Sequence, residues 1–177
     1  DPAELVRWLD ASWRVIADDQ HDHRSASEIC RFRTTAPTDP SSTATPPPFV
    51  GTFGSRGSGD GQMESPMDVA VDSAGSVYVA DSANGRVHKF SSTGTFRETW
   101  GVDGEGVLRY PVAIAVDTAD NVYVADEFAN QVVKFDGAGR FVTRWGEYGD
   151  GDGELDRPSG IAADRAGNVY VGDYYNH

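Results

Sequence analysis

The pattern of hydrophobic and polar positions changes near residue 49. Beyond this point, apolar runs of about four to six residues alternate with short segments rich in Asp, Asn and Gly. The runs contain many Val, Tyr, Phe and Trp residues, which favour strands. The intervening residues tolerate left-handed backbone angles and form turns. The pattern therefore predicts many short strands and an all-β fold.

The predicted strands occur in repeating units. Pro66, Pro111 and Pro158 begin equivalent segments that are 45 and 47 residues apart, and residues 66–100 and 111–145 share 16 of 35 aligned positions. Each complete unit predicts four strands, which in the first unit cover residues 68–71, 77–80, 87–90 and 96–100. Four antiparallel strands on a period of about 45 residues are typical of a β-propeller blade.

The units closely resemble NHL repeats. The first unit reads PMDVAVD over 66–72, GSVYVAD over 75–81 and NGRVHKF over 84–90, and the third reads PSGIAAD over 158–164 and GNVYVGD over 167–173. The second unit departs from the motif at Asp120, Ala129 and Gln131, and we expect the Asp120 replacement to weaken one turn. The resemblance extends from residue 49 to residue 177, which is 73 % of the chain.

The resemblance implies part of a ring. The family usually closes six blades, whereas the repeats here, at 49–100, 101–145 and 146–177, amount to about 2.8 units. We expect either that further blades lie outside this sequence or that copies of the chain self-associate to complete a ring. Because neighbouring blades cover one another, we also expect matched aromatic residues to pack in the core. These are Tyr78, Tyr123, Tyr170, Trp100 and Trp145.

The first 48 residues differ in kind from the repeats. Leu5, Leu9 and Ile16 fall at helical spacing, so residues 3–18 are predicted to form a short amphipathic helix within an N-terminal segment at 1–33. His21 and His23 lie in a polar stretch that predicts a solvated loop. Residues 34–48 are rich in Pro, Ser and Thr, and this composition predicts a linker to the propeller at 49–177.

Charge and composition narrow the function classes. The chain carries 28 acidic and 15 basic residues, a net charge of −13, which argues against binding nucleic acid through the phosphate backbone. Its one cysteine, Cys30, excludes an intrachain disulfide, and no apolar run reaches the length of a membrane helix. The sequence does not identify the compartment, although a Ser/Thr/Pro stalk slightly favours an extracytoplasmic or cell-surface location.

The main functional hypothesis is a non-enzymatic binding scaffold for a protein or a small ligand. In a propeller, the loops before the innermost strands and the turns after the second strands share one face. Aromatic and charged residues on these segments are typical of contact sites. The candidate residues are Arg109, Tyr110, Glu127, Phe128, Tyr148, Tyr174 and Tyr175.

Two other functions stay open. Asp150, Asp152 and Glu154 alternate with glycines and offer oxygen ligands for calcium, the one cofactor that the sequence suggests, but they lack the spacing of an EF-hand. The resemblance includes propeller lyases with histidine-bound zinc and lactonases with a channel calcium, and neither ligand set maps onto these repeats. A metal-dependent hydrolase or lyase would therefore carry its ligands on further blades. The second alternative is an RNA-binding NHL domain, which the acidic charge disfavours.

Overall fold

The computed structural model describes residues 13–15, 29–32, 49–102 and 104–176. Fifteen strands are assigned within these ranges. The strands are β1 (Trp13–Val15), β2 (Ile29–Phe32), β3 (Phe49–Phe53), β4 (Ser55–Arg56), β5 (Gln62–Met63), β6 (Pro66–Val71), β7 (Val77–Asp81), β8 (Arg86–Phe90), β9 (Phe96–Trp100), β10 (Pro111–Val116), β11 (Val122–Asp126), β12 (Gln131–Phe135), β13 (Phe141–Trp145), β14 (Pro158–Ala163) and β15 (Val169–Asp173). Short 3-10 helices cover Ser82–Asn84, Gly104–Gly106 and Glu127–Ala129. In the described ranges, no helix is long and apolar enough to cross a membrane.

The repeats form blades. Strands β6 to β9 make one four-stranded antiparallel sheet in chain order, and β10 to β13 make a second. Strands β14 and β15 pair as the first half of a third blade. The innermost strands β6, β10 and β14 are neighbours in space. The predicted four-stranded units and the partial propeller are therefore confirmed.

The second strand of each complete blade is buried along its whole length. Every residue of β7 and of β11 is buried, because blades cover both of its faces. The turn before β7 is fixed by Asp72, whose carboxylate accepts hydrogen bonds from the backbone N–H of Ala74 and Ser76. The same carboxylate accepts from the hydroxyl of Tyr78 at 2.9 Å. Burial and this carboxylate raise the pKa of Tyr78 far above its usual range.

The core lies between blades. The ring of Tyr78 lies 5.2 Å from that of Trp100, and Trp100 lies 6.1 Å from Phe135 of the next blade. The predicted packing role is thus confirmed for Tyr78, Tyr123 and Trp100, which are at most 6 % exposed. It is wrong for Tyr170, which is 58 % exposed, because no described strand covers that side of the third blade. Trp145 on β13 meets the ring of Tyr123 at 6.1 Å but stays 37 % exposed, because the described part of the third blade has only two strands.

Polar contacts also join the first blade to the second. The backbone N–H of Ile114 donates to the carboxylate of Asp68 at 2.8 Å, and the ammonium of Lys89 donates to the carbonyl of Gly137 at 2.8 Å. Asp120, at a turn position that the motif assigns to glycine, has φ +60°. Its carboxylate accepts from both the backbone N–H and the hydroxyl of Ser73. The replacement therefore adds an inter-blade contact that the sequence did not predict.

A third sheet precedes the complete blades. Strands β1, β2 and β3 pair in that order, and β1 lies against β6 in the way that β7 lies against β10. Strand β1 thus occupies the place of a second strand in a preceding blade. The helix predicted over 3–18 is wrong at Trp13–Val15, which forms a strand instead. Pairing with Ile29–Phe32 supplies hydrogen-bond partners for its backbone, and a short apolar stripe does not distinguish such a strand from a helix. The rest of that helix and the linker at 34–48 lie outside the described residues, as do His21 and His23.

Candidate functional site

An aspartate at the end of each second strand, fully buried in the two complete blades and partly buried in the third, fixes the loops of one face. Asp126 accepts hydrogen bonds from the backbone N–H of Arg109, Tyr110 and Ala129, at 2.7, 2.9 and 3.3 Å. Asp81 and Asp173 bond the N–H of Glu64 and Asp156 in the same way. Each aspartate therefore joins the turn after its strand to the loop before the innermost strand.

The predicted side chains of the second blade meet on this face. The rings of Tyr110 and Phe128 stack with a centroid distance of 4.5 Å and an interplanar angle of 16°. The backbone N–H of Glu127 donates to the carbonyl of Tyr110 at 3.1 Å, which holds the two segments together. Phe128 is nevertheless 54 % exposed. A stacked aromatic pair on a fixed backbone, with Tyr110 partly buried and Phe128 exposed, is therefore available for contact with another molecule.

Arg157 links this pair to the third blade. Its guanidinium lies 3.6 Å from the carboxylate of Glu127 and 5.5 Å from the centre of the Tyr175 ring. Tyr175 in turn meets Tyr174 edge to face, at 4.8 Å. We call the continuous row formed by Tyr110, Phe128, Glu127, Arg157, Tyr175 and Tyr174 the aromatic ridge. Five of its six members were predicted from the sequence.

Arg157 is the member that sequence reasoning missed. It has φ +56°, an uncommon conformation for a residue with a side chain, and its N–H donates to the side-chain carbonyl of Asn130 at 2.9 Å. Ser65, one residue before Pro66, shares this conformation. The left-handed residue before the proline is thus a feature of two repeats. The available signal was the charge of Arg157 at a loop position beside Pro158.

Two predicted residues lie on the same face but outside the ridge. Tyr148 is 72 % exposed on the loop between β13 and β14, which is fastened where the Asn176 amide donates to the carbonyl of Gly149 at 2.6 Å. The side chain of Arg109 lines a separate cavity in the second blade. The structure therefore brings five of the seven predicted residues into one row and places the other two beside it.

The glycine-rich loop does not bring its three carboxylates together. Asp150 and Asp152 are exposed, and the Glu154 carboxylate accepts from the N–H of Gly151 at 2.8 Å, which closes the turn. Among the described residues, no three His, Cys, Asp or Glu side chains form a group suited to a metal ion. The arrangement adds no support to a calcium site, which stays a prediction.

In the first complete blade, side chains donate hydrogen bonds to the aspartate at the end of the second strand. In the second blade, backbone N–H groups donate to the matching aspartate. The Asp81 carboxylate accepts from the guanidinium of Arg86 and the amide of Asn84, at 2.8 and 2.9 Å. The ring of His88 is fully buried, with Nε2 lying 2.8 Å from the carbonyl oxygen of Gln62 and 3.5 Å from Asp81. Burial raises the pKa of Asp81, but the hydrogen bonds from these partners outweigh burial and hold that pKa below its usual value.

Comparison with known proteins agrees with this architecture. A sequence model of the NHL repeat family matches residues 64–90 and 155–177, and so leaves out the second unit with its departures from the motif. Protein lin-41 of Caenorhabditis elegans is 49 % identical over 45 residues, which are 25 % of this chain and 4 % of that protein. This chain therefore spans only a small part of that relative.

Solved structures show the same fold. A streptogramin B lyase superimposes with a TM-score of 0.59 at 12 % identity, covering 86 % of this chain and 43 % of that one. The nidogen/laminin complex contains a chain that superimposes with a TM-score of 0.55 at 20 % identity, covering 84 % of this chain and 51 % of that one. At these identities the likeness concerns the fold alone. Residues 64–90 and 155–177 of the chain match the NHL repeat, and its described strands form part of a β-propeller.

Proposed function

We propose that this chain is a non-enzymatic binding scaffold that contacts a protein through the aromatic ridge. The observation that supports it best is the continuity of the ridge across two blades, from the Tyr110–Phe128 stack through Arg157 to Tyr175. Exposed aromatic and arginine side chains of this kind carry much of the binding energy at protein interfaces.

The rigidity of the ridge supports the same proposal. Its backbone is fixed by the buried Asp126 and the partly buried Asp173, and its rings contact one another before any partner arrives. Binding a partner would then cost this chain less conformational entropy than ordering a flexible loop would. The nidogen/laminin complex gives one case in which a chain with this fold forms part of a protein complex. That case is an analogy of fold and does not identify the partner.

The ridge can be tested by comparing matched bait proteins. The chain, a Phe128→Ala variant and a Val142→Ala control are immobilised, and proteins retained from an extract of the source organism are compared by mass spectrometry. Val142 is also about half exposed, but it lies on the outermost strand β13. We expect at least one protein to be retained by the chain and the control and lost from Phe128→Ala. Identical sets of retained proteins would contradict the proposal.

A metal-dependent lyase or hydrolase remains the competing hypothesis. The likeness to streptogramin B lyase supports it only at the level of fold. It is tested on the protein isolated from its natural source by measuring bound zinc and calcium together with metal-dependent activity. Stoichiometric metal whose removal abolishes an activity would favour the enzyme over the scaffold.

A further inference from the structure

The third blade presents an open strand edge. Within the described ranges, β15 pairs only with β14, whereas the matching strands β7 and β11 have a partner on both edges. Tyr170 of β15 is exposed, while Tyr78 and Tyr123 at the same position are buried. An open edge presents backbone N–H and C=O groups to which another strand can bind. The complete blades show which strand would fit.

In each complete blade, an outer hairpin, β8–β9 or β12–β13, occupies this edge. Lys89 is directly opposite Tyr78 in the register, and its ammonium lies 5.3 Å from the centre of that ring. Lys134 and Tyr123 repeat the pairing in the second blade, at 5.0 Å. A strand that pairs with β15 is therefore expected to place a lysine opposite Tyr170.

The third blade resembles the first at the aspartate that ends its second strand. The amide of Asn176 donates to the Asp173 carboxylate at 2.8 Å and to the carbonyl of Gly149 at 2.6 Å. Asn84 makes the same two contacts in the first blade. Alanine replaces this asparagine in the second blade, and the loops before β6 and β14 share a glycine-to-proline spacing of 12 residues that the second blade lacks.

The first blade has one more member in this arrangement, Arg86. Its Nε donates to the Asp81 carboxylate at 2.8 Å, and the two residues are directly opposite in the register of β7 and β8. Among the described residues, the carboxylate of Asp173 accepts only from neutral N–H groups. A guanidinium opposite it would supply the charge-assisted bond of the first blade. The incoming strand is therefore expected to begin with arginine.

The turn of an outer hairpin packs against the blade before it. A Cβ added at Gly94 would lie 2.7 Å from side-chain atoms of Phe53, and one added at Gly139 would overlap the indole of Trp100. These two glycines also have left-handed backbone, with φ +83° and +78°. Trp145 ends β13 as Trp100 ends β9, and it is the next ring in the series. A hairpin that covers Trp145 is therefore expected to have a glycine in its turn.

Lys134 points to the same occupant. In the first blade, the ammonium of Lys89 donates to the carbonyl of Gly137, which lies in the turn of the next outer hairpin. Lys134 has no such carbonyl among the described residues, because the described part of the third blade has only two strands. The edge of β15 and the face of the second blade thus require one and the same element.

Both complete blades agree on the rest of the strand, since valine and phenylalanine hold its second and fifth positions. We propose that the edge of β15 and the adjoining face of the second blade form a docking site for a β-hairpin from outside these 177 residues. Its first strand reads Arg-Val-x-Lys-Phe from the position opposite Asp173, and its turn contains a glycine that packs on Trp145. No residue of this site belongs to the aromatic ridge, so the inference does not rest on the proposed function.

A second copy of this chain does not supply the hairpin. Its β8–β9 and β12–β13 already complete blades, which leaves β2–β3. Strand β2 ends in Phe32 as β8 ends in Phe90, and this alignment puts Glu28 at the arginine position, where it would repel Asp173. Residues 33–48, which connect β2 to β3, contain no glycine.

The site can be tested with hairpins copied from this chain. The 177-residue chain is titrated with a synthetic peptide of residues 84–100, and NMR follows the backbone amides of β15 and the indole N–H of Trp145. We expect saturable shifts of these signals and protection of the β15 amides from hydrogen exchange. The peptide of residues 129–145 has Gln131 at the arginine position and should bind about fivefold more weakly.

Matched variants locate the two recognition elements. In the 84–100 peptide, Arg86→Gln should weaken binding about fivefold, and Gly94→Ala should weaken it about tenfold because the turn would clash with Trp145. In the chain, Asp173→Asn should bring the affinity for the 84–100 peptide down to that for the 129–145 peptide. Asp150→Asn is the control, because it makes the same change of charge at an exposed loop residue of the same region. Thermal unfolding confirms that both chain variants are folded, and the peptide variants leave the chain unaltered.

Four outcomes would overturn the inference. They are the absence of saturable binding, equal binding of the two hairpins, shifts confined to residues outside β13 and β15, and a concentration-dependent dimer of the chain alone that shifts the β15 signals. The last would show that a second copy occupies the edge. None of them alters the test of the ridge with Phe128→Ala, which probes a different surface.

Discussion

The first complete blade, β6–β9, and the second, β10–β13, share 16 of 35 aligned residues but support the same buried aspartate differently. Asp81 is surrounded by side chains, with Arg86 and Asn84 donating to it. Asp126 is held by backbone N–H groups alone. The first blade therefore has a closed rim. The second has an open cavity and, beside it, the stack of partly buried Tyr110 on exposed Phe128, so the same fold carries two different rims.

The largest effect should come from breaking the side-chain support of the first blade. Asp81→Ala leaves the guanidinium of Arg86 nearly buried without its carboxylate, and breaking a buried ion pair in this way costs about 3–5 kcal/mol. Asp126→Ala removes the acceptor of three backbone N–H groups but leaves no side-chain cation unpaired, and we expect a loss of about 2 kcal/mol. Equilibrium unfolding in urea measures both values.

The control for this pair is Asp136→Ala. Asp136 and Arg140 form an exposed ion pair, and such pairs contribute about 0–1 kcal/mol. If Asp81→Ala and Asp126→Ala destabilised the chain equally, the two blades would not differ in the way that their hydrogen bonds indicate.

A smaller difference is expected from the matched tryptophans. Trp100 is 6 % exposed and packs between blades, so we expect Trp100→Ala to lower the free energy of unfolding by about 3 kcal/mol. Trp145 is 37 % exposed, because no described strand covers it, and we expect Trp145→Ala to cost about 1 kcal/mol. Urea unfolding gives the comparison. A cost at Trp145 as large as that at Trp100 would show that something covers Trp145 in solution, as self-association would.

The turn at Asp120 should give a still smaller effect. Asp120→Ala keeps the left-handed backbone and loses both hydrogen bonds to Ser73, for a cost of about 2 kcal/mol. Asp120→Gly also loses the bonds but removes the backbone strain, so its cost should be about 1 kcal/mol. Thermal unfolding of the two variants and of Ser73→Ala measures these differences. A glycine variant more stable than the parent chain would mean that the inter-blade bonds contribute less than the left-handed backbone of Asp120 costs.

The strands of the repeats could be predicted because their signals are local. Apolar runs such as Val122–Asp126 lie between turns of Asp, Asn and Gly, and their repetition identified the blade. The strand at Trp13–Val15 was missed, because it forms only by pairing with Ile29–Phe32, and a short apolar stripe does not specify that partner. Asp120 misled for a similar reason, since its hydrogen bonds reach 47 residues back along the chain.

The site was predictable in part. Position in a repeat was enough to place Tyr110, Phe128 and Tyr175 on one face. The contacts that join them depend on Arg157, whose guanidinium spans two blades, and on the lengths of loops that the repeat pattern does not control. The cavity exists because the second blade lacks a side chain that fills the corresponding space in the first blade. Gln131 stands where the first blade has the longer Arg86, and the difference is recognised only when the two blades are compared.

The smallest expected effect is on the loss of stability at low pH. The pKa of Asp81 is lower in the folded chain than the value of about 3.9 for an exposed aspartate. The ionised carboxylate therefore contributes stability that is fully present above this value and is lost as the pH falls toward the lowered pKa. Asp81→Asn removes the titrating group, so we expect its free energy of unfolding to fall less steeply than that of the parent chain between about pH 5 and pH 3.

The dependence on salt concentration distinguishes the acid sensitivity caused by Asp81 from that caused by exposed carboxylates. Interactions between exposed charges are largely screened at an ionic strength of about 1 M, whereas a buried pair such as Asp81 and Arg86 is screened much less. The difference in slope between the parent chain and Asp81→Asn should therefore persist at high salt, as measured by urea unfolding at each pH. Equal slopes at low salt, or a difference that salt abolishes, would mean that the acid sensitivity arises at exposed carboxylates and not in the closed rim of the first blade.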